Sequence, residues 1–213
     1  MTPRKRCIVL TGFGPFGDIE ENSSSIAVHA LQDLWEANDR LHSGPVELIT
    51  FEDVPVSYKA VQELETKIWA LNPELVIHVG LYSGANSIYL EKQSFNGPYL
   101  SPDVNEELCD EDGFCNPDGE ERICSTLDLN RVLRRLESHS VPAHLSEDPG
   151  RYLCGYIYYM SLKHACDRVV FIHVPPISDR FDDFTLASAL FDVVQGLAEQ
   201  RNLPIPTVKL RSK

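Results

Sequence analysis

Apolar and polar positions along this chain follow two alternating patterns. Arg6–Phe13 (RCIVLTGF) is a nearly unbroken, β-branched apolar run, the signature of a strand covered on both faces. Asn22 and the serines at 23, 24 and 25 offer N-caps to a helix reaching about Trp35, with Ile26, Ala30, Leu31 and Leu34 on one stripe. Val46–Val54 reads as a second strand. Ser57 then caps a helix to about Leu71, with Val61, Leu64, Ile68 and Leu71 at helical spacing, and Asn72-Pro73 stops it. Leu75–Leu81 (LVIHVGL) is a third buried strand, and residues 87–90 form an extended piece leading to Glu91. Residues 97–125 show Gly, Pro and Asp but no period, so a long loop is expected. A helix at about 128–136, a short strand at 143–145, a helix at 151–165, a buried strand at 168–174 and a closing helix at Asp183–Gln200 complete the order. A polar tail with two prolines follows from Asn202. Strands alternating with helices predict an α/β fold, an open and mostly parallel twisted sheet with helices on both faces. No repeat or linker interrupts residues 1–213, so one domain is expected.

Charge changes this picture in one place. The formal net charge is -13. Nine acidic residues (Asp103, Glu106, Glu107, Asp110, Glu111, Asp112, Asp118, Glu120 and Glu121) crowd between Gly97 and Glu121 without a Lys or Arg. Such a surface gains nothing from counterion release, which argues against nucleic acid as a partner. No apolar stretch nears the ~20 residues needed to span a bilayer, so no membrane partner is expected. The start carries Arg4, Lys5 and Arg6 and runs straight into a strand without a signal-like core, which predicts a cytoplasmic protein. Its 6 cysteines are then expected as free thiols. Cys109, Cys115 and Cys124 lie near one another, yet no CxxC or paired histidines accompany them, so a metal site is not expected.

A glycine motif invites a cofactor reading. Gly12-Phe13-Gly14-Pro15-Phe16-Gly17 matches G-x-G-x-x-G after a strand. Pro15 removes an N–H where a pyrophosphate wants donors, and Asp18, Glu20 and Glu21 delay the helix. The acidic pair Glu52 and Asp53 lies well beyond the ~20-residue spacing of a ribose contact. No dinucleotide or other cofactor is expected. Phe13 and Phe16 either present aromatic faces to a ligand or plug the top of the sheet.

Nucleophilic catalysis by a thiol needs an imidazole beside it and a third group to orient the ring. Cys154 stands at the start of a predicted helix, where unpaired N–H groups favour a thiolate and can also stabilise an oxyanion. His173 closes the next strand, beside the preceding one after a right-handed crossover, and Glu91 follows the third strand's extension. The plain alternatives are a buried small hydrophobe, a satisfied core histidine and an exposed glutamate; His78, inside the third strand, fits the second description.

Four ordered motifs together resemble the pyroglutamyl-peptidase I family over nearly the whole chain. They are TGFGPFG from Thr11 with Asn22 after it, SIYLEKQSFN from Ser87, GRYLCGYIYY from Gly150 and FIHVPP from Phe171. The resemblance implies a three-layer α/β/α sandwich and a cysteine peptidase that removes N-terminal pyroglutamate. It implies Cys154 as nucleophile, His173 as acid and base, and Glu91 as the orienting carboxylate. Phe13 and Phe16 would sandwich the lactam ring and Asn22 would help hydrogen-bond it. Substrates would be small peptides beginning with pyroglutamate, handled by a monomer or homo-oligomer without cofactor or metal. Two other readings stay open: a homologue that binds pyroglutamyl or related ligands without turnover, and another α/β cysteine hydrolase.

Overall fold

A computed structural model describes residues 5–208, so the first four residues of the basic start and the last five of the tail lie outside the described part. In chain order the elements are β1 (Arg6–Phe13), α1 (Ser23–Glu36), α2 (Asp39–His42), β2 (Val46–Val54), α3 (Tyr58–Ala70), β3 (Leu75–Leu81) and β4 (Ile88–Glu91). They continue as β5 (Gln93–Phe95), β6 (Arg122–Cys124), α4 (Leu129–Ser138), β7 (Ala143–Ser146), α5 (Leu153–Ala165), β8 (Val169–Val174) and α6 (Asp183–Gln200).

Six strands form one sheet in the order β2-β1-β3-β8-β4-β7. Alternate side chains of each central strand leave on opposite faces, which is why continuous apolar runs were needed. On one face Ile8 and Leu10 of β1 pack with Ala27, Val28 and Leu31 of α1 and with Leu190 and Val194 of α6. On the other, Val9 packs with Val61, Leu64 and Ile68 of α3 and Ile157 of α5. Each such buried aliphatic side chain stabilises the fold by about 1.5–3 kcal/mol relative to exposure. The result is the expected α/β/α layering.

Three expectations need correction. β8 does not return beside β7: it inserts between β3 and β4, pairing parallel with the former and antiparallel with the latter. β4 and β7 therefore run against the other four strands. A short helix, α2, was not anticipated; Asn38 caps it, its side chain accepting from the Arg40 N–H. The acidic stretch begins and ends in structure, because β5 and β6 pair antiparallel across it. Tyr99 within it is fully buried, and Asp103 accepts a hydrogen bond from the Tyr58 N–H (2.9 Å), pinning the segment to the start of α3.

Candidate active site

The site grows out of a transverse row across the sheet. Gly80 of β3 pairs with His173 of β8, and His173 pairs with Tyr89 of β4. Residues paired across strands share a face. The row below reads Thr11, His78, Phe171, Glu91. Because β4 runs antiparallel, its last residue, Glu91, is carried inward beneath His173 instead of out to the rim. There its Oε1 lies 2.8 Å from His173 Nδ1. Glu91 is 1% exposed and its Oε2 has no hydrogen-bond partner, so the imidazole is what offsets burial of this carboxylate.

Cys154 arrives from above, one residue into α5. Gly150 adopts φ +83, with its N–H donating to Asp148 Oδ1 (3.0 Å), and this turn aims the chain into the helix. A side chain at Gly155 would collide with the Gly150 carbonyl, so the residue after the cysteine must be glycine for this turn to close. The sulfur settles over Gly80: a Cβ built on that glycine would lie 3.0 Å from Cys154 Sγ and 2.7 Å from the Phe171 ring. Burial pushes the His173 imidazole down, but hydrogen bonds and charge from Cys154 and Glu91 outweigh it and raise the ring to about 9.

α5 differs from its neighbours at the N-terminus. Asn22, Asn38, Ser57, Asp128 and Asp182 each cap their helices with a side-chain oxygen. Tyr152, at the head of α5, makes no such bond. The first-turn N–H groups beside Cys154 are thus left for another acceptor.

The glycine-rich loop holds the remaining predicted residues. Phe13 is buried and Phe16 half-buried, and both pack in the same cluster as Leu153, Phe171 and Cys154. Asn22 is 3% exposed and mostly occupied: its Oδ1 accepts from the Ser24 N–H and Oγ, and its Nδ2 donates to the Gly14 carbonyl (3.0 Å). It caps α1 and ties down the loop that carries the two phenylalanines.

A family model described as pyroglutamyl peptidase matches residues 6–192. The chain belongs to the pyroglutamyl peptidase family. It is 37% identical over 204 residues to pyroglutamyl-peptidase 1 of Rattus norvegicus, covering 93% of each chain. It is 36% identical to the Homo sapiens protein of that name over 200 residues, covering 92% of this chain and 91% of the other. Among solved structures, the pyrrolidone carboxyl peptidase of Thermus thermophilus superposes with a TM-score of 0.74 at 26% identity, covering 89% of this chain and 99% of that one.

His78 is a satisfied core histidine, as its place inside an apolar strand predicted. Its Nδ1 meets Thr11 Oγ1 (2.9 Å) and its Nε2 meets Ser161 Oγ (2.8 Å), while burial drives its pKa down to about 3. Sequence reasoning did not single out three neighbours of His173. A glycine inside a buried strand was a usable signal for Gly80. Tyr82, whose ring stands edge-on to His173, and Tyr89, whose ring stands edge-on to Tyr82, carried none, since a tyrosine near a strand end is common.

Proposed function

We propose that this chain is a cysteine exopeptidase that removes pyroglutamate from the N-terminus of small peptides. The observation that carries the reading is the His173–Glu91 pair on one sheet face, with the Cys154 sulfur over the neighbouring Gly80 at a helix start that no side chain caps. Phe13 and Phe16 sandwich the lactam ring, and Asn22 acts on it through the loop it holds. The Cys154 thiolate attacks the carbonyl that joins pyroglutamate to the next residue, and the oxyanion takes hydrogen bonds from the first turn of α5. His173, protonated up to about pH 9 and oriented by Glu91, gives its proton to the leaving amine. A thioester remains on Cys154. Water, deprotonated by the now neutral His173, hydrolyses it and releases 5-oxoproline and the thiol.

A cytoplasmic setting suits a chain whose nucleophile must stay reduced. No described helix is long and apolar enough to cross a membrane.

The test is cleavage of a pyroglutamyl coumarylamide by wild type and Cys154→Ala. Wild type should turn over and be silenced by iodoacetamide, and the variant should lose on the order of 10³-fold or more in kcat. A variant within tenfold of wild type would show that another group is the nucleophile. Binding of pyroglutamyl peptides by wild type without turnover would instead establish a silent homologue.

A further inference from the structure

The row that carries the catalytic groups extends past them, and its far end is aromatic. Thr11 and Gly12 of β1 stand level with His78 and Val79 of β3, and Phe13 closes β1 just beyond them. Reading across the sheet, the order is Phe13 on β1, Gly80 under the Cys154 sulfur on β3, His173 on β8 and Tyr89 on β4. Tyr82, just past β3 and on the same face as Gly80, leans over the far end. Its ring lies edge-on to His173 with centroids 6.0 Å apart, and edge-on to Tyr89 at 5.6 Å. Tyr82 is 48% exposed, whereas Tyr89 is half-buried and rests against His144. A large aromatic ring kept half in solvent beside a buried catalytic imidazole has a face free for contact.

The direction of the substrate follows from the proposed function, on which this inference rests. The acyl ring lies at Phe13 and the sulfur over Gly80, so the leaving amine must meet His173. Nδ1 of that ring is occupied by Glu91, which leaves Nε2 as the proton donor. An amine nitrogen within about 3 Å of Nε2 places the leaving residue's side chain some two bonds further on, toward β4. That is where the rings of Tyr82 and Tyr89 stand.

We infer that Tyr82 and Tyr89 form the subsite for the residue after pyroglutamate, and that it favours a flat aromatic side chain there. Tyr89 fixes the angle of Tyr82 by its edge contact, and Tyr82 offers the stacking face. Gly84 completes the ledge: a Cβ there would lie 3.4 Å from the Tyr82 ring, so its absence leaves the turn close against that ring.

The experiment compares kcat/KM on pyroglutamyl-phenylalanine amide, pyroglutamyl-leucine amide and pyroglutamyl-alanine amide. Wild type should prefer the phenylalanine substrate over both others. Tyr82→Ala should lower its rate about three- to tenfold while leaving the alanine substrate within about twofold, and Tyr82→Phe should keep the preference. Melting temperatures of both variants confirm that the fold is intact, which an exposed position favours. Equal wild-type rates on the three substrates, or a Tyr82→Ala loss of the same size on all of them, would overturn the subsite. Cleavage of none by wild type would instead remove the parent reading, and the subsite with it.

Discussion

Gly80 is the position where one added methyl group tests the whole geometry. It lies in extended strand backbone that any residue adopts, so Gly80→Ala costs space and nothing else. The new Cβ would stand 2.7 Å from Phe171 Cζ, 3.0 Å from Phe171 Cε1 and 3.0 Å from Cys154 Sγ. Phe171 is fully buried and cannot give way outward. The sulfur, on the half-buried start of α5, is the more movable partner and must retreat by roughly half an ångström or more to regain ordinary contact. Overpacking of this kind costs about 1–3 kcal/mol, which for a chain of this size lowers the melting temperature by roughly 2–12 °C. The catalytic loss should be larger in proportion, because a reacting atom misplaced by about 1 Å can forfeit ~10²-fold. We expect kcat on a pyroglutamyl coumarylamide to fall about 10- to 100-fold with KM little changed. The rate of Cys154 alkylation by iodoacetamide at pH 7 should fall with it, since a displaced thiol loses its imidazole. A variant with wild-type kcat and alkylation rate would refute the placement of the nucleophile over this glycine.

Three further outcomes follow from the same contacts. His173 must be protonated to serve the leaving amine, so kcat/KM should decline with an alkaline limb near pH 9, and Glu91→Gln, by removing one of the partners that raise the ring, should move that limb down by about one pH unit or more; a limb that stays in place contradicts the pairing. Asn22→Ala removes the α1 cap and the tether to Gly14 together, and should cost about 1 kcal/mol in urea unfolding and raise KM several-fold, with kcat close to wild type. Glu65, buried against Ser161 and Trp69, has its carboxyl pushed up to about 7 chiefly by burial. The folded state then binds the proton more tightly than the unfolded one, so this residue's contribution to stability is greatest below about pH 4.5 and is lost as pH rises through about 7. Urea midpoints of Glu65→Gln, measured against wild type, should shift in the variant's favour between pH 5 and pH 8, whereas a pH-independent gap would count against it.

Much of the site could be read from residue order because helix starts are written locally. Asn22 and Ser57 precede their helices as capping residues must, and each is observed to cap. Residue order put Cys154 at a helix start and His173 at a strand end, but the crossover expected to bring them together is not the one observed, since β8 lies between β3 and β4. His78 was legible as a core histidine because an apolar strand leaves it no solvent, although its partners Thr11 and Ser161 lie far off in sequence.

What the amino-acid order determined by itself was the long strands and helices and which side of each faces inward, because periodicity and capping act over a few neighbouring residues; the short α2, β5 and β6 carried too few residues for a period. It could not determine the direction of β4 or the slot taken by β8, since four residues of extended chain pair equally well either way until the rest of the sheet exists. That choice belongs to the tertiary structure, and it decided the chemistry. Only with β4 reversed does Glu91 come to rest a row beneath His173, and only with β8 between β3 and β4 do Gly80, His173 and Tyr89 line up across one face.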